Sequence, residues 1–313
     1  MPNPVITTNY AGMSTNEVLQ LLVLGNEAFE KNSFMFHEDI DDKGLELSRL
    51  VVGQNLIQPY AAIPTTPSNA MTFSPRRLDP VEVMLYDLFN PKEFRSYWKE
   101  FQKEGPLADK DLAPEIKNAI TANYASRVNN QLGRLIWSGD KSTGAELRYI
   151  DGIVTRALAD ASVLKPSVNG NNTAVNIIAN LTSLHNLVSD ALYSDPDGAL
   201  HMSTRDYRFY QDALIALANK GPAANAFSAN QTDTFKGMKI KHYSTFPNNY
   251  ILFAKGSNSP NSNLVAGMNA NSDIDNIKIE RWRPEGDTYF IKANFSLDVN
   301  YGFGEELFIY KPA

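Results

Sequence analysis

The chain has 313 residues and no cysteine. That one absence removes disulfide staples, thiol nucleophiles and cysteine zinc sites together, and it fits a reducing compartment. Histidine is scarce: His37, His185, His201 and His242 are the only four, and none has a second histidine at metal-ligand spacing. Clustered lysine and arginine are also missing, and the net charge is −6. Tight non-specific binding to a polyanion needs such clusters, so a nucleic-acid spool is excluded. Long apolar runs are absent too. The stretch Val18 to Leu24 is broken by Gln20 and is too short to span a bilayer. The opening MPNPVITTNYAGM lacks the basic start and apolar core of a secretory signal, so no targeting segment and no membrane partner are expected.

Recognisable chemistry is equally thin. Neither a G-x-S-x-G elbow nor a Walker A loop occurs. YGFGEE (301–306) follows a strand into another strand, whereas a phosphate cradle needs a helix N-terminus, so it reads as a hairpin turn. WSGDKSTGAE (137–146) follows a helix and has the wrong glycine spacing for a phosphate loop. FHEDIDD (36–42) gathers His37, Glu38, Asp39, Asp41 and Asp42, but without ligand spacing or a turn glycine it reads as a solvated acidic turn. No catalytic, cofactor-binding or metal-binding residues are expected. An enzyme with a dispersed site, acting on carbohydrate through Trp98, Trp137 and Trp282, stays open as a remote alternative.

What is present is a globular balance, with 43% hydrophobic and 20% charged residues. Ser14-Thr15-Asn16-Glu17 forms a capping box ahead of a short helical stripe at Val18, Leu21, Leu22 and Phe29. VEVMLYDL (81–88) favours a strand, and Asn90-Pro91 opens a helix over KEFRSYWKEFQ. From about 113 to 137, apolar residues recur at Ile116, Ile120, Tyr124, Val128, Leu132, Leu135 and Ile136, a ridge at four-residue steps that predicts a long helix ended by Gly139. A further helix is expected over 173–193, with Val175, Ile178, Leu181, Leu184, Val188 and Leu192 on one side. ALHM is expected as a strand, followed by a capped helix over RDYRFYQDALIALANK. The sharpest pattern is DTYFIKANFSLDVNY. Tyr289, Ile291, Ala293, Phe295, Leu297, Val299 and Tyr301 fall on one face, which predicts a long strand with one buried side. ELFIYK is expected to return as its hairpin partner.

Residues 45–80 differ from the rest. Pro59, Pro64, Pro67, Pro75 and Pro80 exclude a long helix, while Ile57, Tyr60, Ile63, Met71 and Phe73 add apolar weight. A long hairpin excursion with a partner suits this composition, and those five apolar residues are the candidate inter-subunit contacts.

The order of these features resembles the HK97-fold capsid proteins of tailed bacteriophages. The carriers are the arm, the excursion NLIQPYAAIPTTPSNAMTFSPRR, the helix PEIKNAITANYASRVNNQLGRLIW and its turn LIWSGDKSTG, YIDGIVTRA, HMSTRDYRFYQDAL, and the glycine-led series FKGMKIKHYSTFPNNYILFAKG. TTNYAGMSTNEVL and TFSPRRLDPVEVMLYDLFNPKEFRSYW resemble capsid proteins of phages that infect Bacteroidetes. The resemblance implies an α+β fold with an N-terminal arm (1–44), an extended β-hairpin excursion (45–80), a peripheral domain with a spine helix (81–150), an axial domain with return strands (151–284) and peripheral strands (285–313). It further implies self-assembly into hexamers and pentamers of an icosahedral virion shell, built in the host cytoplasm. Scaffolding, portal and possibly cement proteins would be partners, and packaged DNA only a non-specific content. An encapsulin-like nanocompartment is the nearest alternative. No lysine lies between Lys43 and Lys92, so the lysine–asparagine cross-link some members form from this loop is not expected.

Overall fold

In the computed structural model of the chain, the described residues are 26–38, 40, 44–47, 50–52, 71–73, 76–90, 114–143, 147–167, 170–218, 233–268, 278–281 and 288–312. The alternating run near the C-terminus forms β13 (Tyr289–Tyr301), the centre of the first sheet. Along one side, β6 (Val81–Phe89) pairs antiparallel with residues 289–297. Along the other, β12 (Lys278–Arg281) and β11 (Leu264–Gly267) pair with opposite ends of β13. β1 (Met35–His37) then adds parallel to β11.

The seven predicted apolar residues of β13 are all buried. The other face behaves in two halves. Phe290, Lys292 and Asn294 are half-buried, as a single-sided strand requires, but Ser296, Asp298 and Asn300 are buried too. The expected single buried face therefore holds only for the first half. In the second half the residues of the excursion root cover the polar side: Asp298 Oδ2 accepts the Asp79 N–H and Asn300 Nδ2 donates to the Arg77 carbonyl.

The four-residue ridge forms α2 (Pro114–Ser138), the next described helix after the short α1 (Glu27–Glu30). Ala125, Val128, Leu132, Leu135, Ile136 and Trp137 share one core with Ala293, Phe295, Leu297, Val299 and Tyr301. Burying this ridge, at about 1.5–3 kcal/mol per large apolar side chain, holds the helix on the sheet. Gly139 and Gly152 then let two backbones touch, with the Gly152 N–H donating to the Gly139 carbonyl at 2.9 Å. Next comes α3 (Ile153–Ala159), whose Ile153, Val154 and Ala157 join the same core.

A second sheet has the order β14–β10–β7–β9–β8. Its strands are β7 (Gly198–Ser203), β8 (Thr234–Phe235), β9 (Met238–Tyr243), β10 (Ile251–Lys255) and β14 (Phe308–Tyr310). β8 and β9 are joined by Lys236 and Gly237, both at positive φ (48° and 88°). That is the two-residue turn whose twist matches a hairpin. The helices α4 (Ile177–His185) and α6 (Thr204–Ala218) bury Ile177, Leu181, Leu184, Tyr207 and Tyr210 in a separate core with this sheet.

Three expectations are corrected. The helix over 173–193 is broken: α4 ends at His185, and a second short helix, α5 (Asp190–Tyr193), follows an extended Ser189. The break lets Tyr193 Oη donate to the Lys236 carbonyl at 2.7 Å on the β8–β9 turn. Val175 lies ahead of α4 and is 87% exposed, not on a buried side. The third correction concerns the C-terminus. β14 does not fold back on β13; it pairs antiparallel with β10 in the other sheet. Residues 304–306 form a short 3-10 turn rather than a hairpin loop and carry the chain from β13 to β14, whose Ile309 stays in the first core. Phe308 and Tyr310 fill the second core, and that burial decides the pairing. Of the helix predicted after Ser14, only Phe29 is described, in α1; the rest of it and the helix after Pro91 lie outside the described residues.

Candidate assembly surface

Residues 45–78 leave and rejoin the body through two short antiparallel ladders. β2 (Leu45–Leu47) pairs with β5 (Arg76–Leu78), and β3 (Leu50–Val52) pairs with β4 (Met71–Phe73). Leu45 faces Leu78 and Leu50 faces Phe73, so both ladders share one register. At the root, Leu78 is fully buried against Ile40 and Val265, with Leu45 and Leu47 packed beside them.

Two ionic clusters fasten this root to the body. Arg76 Nη2 donates to Asp160 Oδ2 at 2.5 Å, and its guanidinium lies 4.4 Å from the Tyr301 ring centroid. Tyr301 Oη donates to the same Asp160 oxygen at 2.8 Å. Ser162 completes the set, donating to Asp160 Oδ1 from its backbone N–H and its hydroxyl. Burial alone would raise the Asp160 carboxyl; the bonds from Arg76, Ser162 and Tyr301 outweigh it and hold the group well below the usual carboxylate range. Burial and the bond to Asp160 push Tyr301 up to about 12. The second cluster joins Arg156 Nη2 to Asp298 Oδ1 at 2.7 Å, with Asp298 Oδ2 taking the Asp79 N–H at 2.9 Å. Here burial dominates and raises the Asp298 pKa, against the pull of Arg156 and the backbone donors. A β-hairpin held by side chains from α3 and β13 moves with the body at its base.

Of the five candidate contact residues, Ile57, Tyr60 and Ile63 lie outside the described residues. Met71 and Phe73 lie in β4, in register with Val52 and Leu50 of β3. The root residues Arg76, Asp160, Arg156 and Asp298 were not anticipated. Their partners are 84 and 142 positions apart in the chain, a separation that local patterning does not reach.

A second feature was also missed. The outer face of β6 carries Met84, Tyr86 and Leu88, exposed by 61%, 44% and 46%. Their register places Tyr86 opposite Lys292 and Leu88 opposite Phe290, and the Tyr86 and Phe290 rings lie 6.3 Å apart. The signal was in VEVMLYDL, where both alternating sets contain apolar residues.

The elements do not assemble a reaction centre among the described residues. No group of three or more His, Asp or Glu side chains is placed to hold a metal ion. His37, His185, His201 and His242 sit on β1, α4, β7 and β9 respectively. Trp137 is fully buried, so it offers no face for stacking a sugar, and Trp98 and Trp282 lie outside the described residues. No described helix is long and apolar enough to cross a membrane.

No family profile matches the sequence, and no curated protein matches it. Solved structures do match. The satellite phage P4 procapsid including its size determination protein aligns with a TM-score of 0.56 at 11% identity, over 89% of this chain and 92% of that one. The capsid of an empty GTA particle aligns at 0.54 and 12% identity, over 100% and 95%. The holo-SrpI encapsulin complex of Synechococcus elongatus aligns at 0.51 and 9% identity, over 89% and 84%. At such identities the likeness is one of fold: the chain has a mixed helix-and-sheet fold that resembles those of phage capsid proteins.

Proposed function

We propose that this chain is a major capsid protein of a tailed bacteriophage of Bacteroidetes, and not an enzyme. Its copies close an icosahedral shell of hexamers and pentamers around double-stranded DNA. The observation that carries the reading is the capsid-like fold over nearly the whole chain. In this reading α2 is the spine of a peripheral domain, the second sheet is the core of an axial domain, and residues 45–80 are an excursion that lies across a neighbouring copy. Several heterologous contacts repeated by symmetry build such a shell from one chain. Ile57, Tyr60, Ile63, Met71 and Phe73 supply the apolar part of the contact. At about 25 cal/mol per Å² of apolar area, an arm burying several hundred Å² contributes a few kcal/mol per contact, weak enough to correct and strong when multiplied. The ionic root gives the arm a fixed point of departure. Scaffolding, portal and cement proteins are the expected partners, and the mildly acidic chain contacts packed DNA only as a wall.

The likeness to the encapsulin complex favours one alternative, a nanocompartment that encloses protein. Negative-stain microscopy of the purified chain and analysis of particle contents test both. Closed particles with nuclease-protected DNA in the source particle support the capsid reading, and protein cargo without DNA supports the alternative. Replacing residues 54–70 by a short Gly-Ser linker keeps both ladders and the root. The variant subunit is expected to fold and to form no shells; normal shells from it would refute the role given to the excursion.

A further inference from the structure

Residues 26–37 are stitched across the junction of the two cores. Asn26 Nδ2 donates to the Asn129 carbonyl of α2 at 2.6 Å, and Glu27 Oε2 accepts the Ser244 N–H at 2.7 Å. Lys31 Nζ donates to the His242 carbonyl. In return Lys241 Nζ donates to the carbonyls of Asn32 and Gly256 at 2.9 and 2.8 Å. Phe34 packs on Trp137 with ring centroids 5.1 Å apart. Ser33 Oγ lies 2.6 Å from Tyr243 Oη.

At the centre of this junction is a fully buried histidine, His201 of β7. Its Nδ1 is 2.9 Å from the same Tyr243 Oη, and the two rings stack at 10°. Trp137 covers another side at 5.7 Å. Gly256 closes the Nε2 side: a Cβ there would lie 3.3 Å from that nitrogen. Nε2 makes no hydrogen bond of ordinary geometry, and the backbone of Ala254 is the one group that favours its proton. The charges around the site are mostly positive. Lys241 acts directly on His201, and Lys31 sits 5.2 Å above the Tyr243 ring. Glu27 reaches Tyr243 and His242 but not His201, while Lys239 and Asp197 act on Lys241.

With the neutral proton on Nε2, the side that faces the Ala254 backbone, Tyr243 Oη donates to Nδ1 and Ser33 Oγ is free to donate to Tyr243. Adding a proton at Nδ1 forces both hydroxyls to turn: Nδ1–H donates to Tyr243, Tyr243 to Ser33, and Ser33 to the Lys31 carbonyl, which is 3.4 Å away. The imidazolium stays beside Lys241 with no carboxylate bonded to it, and beyond the Ala254 backbone only water relieves it. β7, β9 and β10 are held in a five-stranded ladder. Residues 26–37 lie outside that ladder, held by side-chain stitches, a three-residue strand and the packing of Phe34 on Trp137, so they are the segment that can open without breaking it.

We propose that His201 is an acid-operated latch, whose protonation turns the Tyr243–Ser33 hydroxyl chain and frees residues 26–37 from the junction of the two cores. Burial first, and Lys241 second, push the His201 pKa down to about 3. The sign follows: the folded chain resists a proton that the opened chain accepts, so the latch is fully closed above the ordinary histidine value of about 6.5 and weakens as pH falls below it. This property belongs to the unassembled chain and stands or falls apart from the shell reading.

Hydrogen exchange of the unassembled full chain between pH 7 and 4, corrected for intrinsic rates, tests the latch. Protection of residues 26–37 should fall about tenfold per pH unit below 6.5 in the wild type, while β10 stays protected. In His201→Gln, which has no proton to gain, the slope should vanish. An equal slope in His201→Gln, or no slope in the wild type, overturns the proposal. Should His201→Gln not fold, NMR titration of the wild-type imidazole decides: titration near 6.5 with residues 26–37 still protected overturns it, and titration well below supports it.

Discussion

Replacing Asp298 by alanine removes the carboxylate that ties the excursion root to the body. Asp298 is 2% exposed and takes two donors, Arg156 Nη2 at 2.7 Å and the Asp79 N–H at 2.9 Å. Breaking a buried pair from one side costs about 3–5 kcal/mol, because the remaining charge keeps its burial and loses its partner. The Arg156 side chain is 23% exposed and also donates through Nε to the Asp151 carbonyl, so part of that cost is relieved. A loss of about 2–4 kcal/mol is expected. Asp298→Asn keeps one acceptor but sets its amide NH2 against the other donor and leaves Arg156 without its counter-charge, so it should lose stability too, though less than the alanine variant. Burial raises the Asp298 pKa, so the native chain binds this proton more tightly than the unfolded chain does. Stability from this residue therefore rises as pH falls through the raised value, and Asp298→Asn lacks that rise. Urea denaturation of the unassembled subunit gives the energies, and hydrogen exchange over 76–79 reports the root. An alanine variant that loses less than about 1 kcal/mol, or that leaves exchange at the root unchanged, refutes the fastening role.

Three other perturbations have definite outcomes. Gly152→Ala places a Cβ 2.6–2.7 Å from the backbone of Trp137 and Gly139, where no side chain is free to move aside; a loss of at least about 1–3 kcal/mol is expected by thermal or urea unfolding. Asp160 contributes stability above its unfolded pKa of about 4 that is lost as pH falls toward its depressed native value, so Asp160→Asn should show a flatter acid limb below pH 4, and superimposable curves would contradict the Arg76–Tyr301 arrangement. Lys255 is 6% exposed and lies 3.2 Å from Asp195 and 3.4 Å from Glu306. Lys255→Met removes the ammonium that both carboxylates share and should cost about 2–4 kcal/mol, read by urea unfolding.

Local periodicity was sufficient wherever one element decides its own form. The four-residue ridge gave α2 within a residue at each end, and the alternation of DTYFIKANFSLDVNY gave β13. The capped helix after HMST is α6. In each case the spacing of apolar residues selects the backbone period that puts them on one face. The polar groups at the excursion root carry no such period. Asp160, Arg156 and Asp298 read as ordinary surface charges in sequence, and only the approach of α3 and β13 to β5 makes them partners. The candidate contact residues were chosen from composition alone, and three of the five lie outside the described residues.

The sequence by itself determined the helices α2 and α6 and the strands β6 and β13, that disulfides and cysteine metal sites are excluded, and that residues 45–80 cannot be a long helix. Only the tertiary structure decided which strands meet. β14 looked like the hairpin partner of β13 because the two are neighbours in the chain, yet it pairs with β10 because Phe308 and Tyr310 are buried among the residues of the second core. His201 shows the same limit from the side of chemistry. One histidine in a short strand carries no signal until Tyr243, Trp137, Ser33 and Gly256 close around it, since burial and charge are properties of the surroundings and not of the residue.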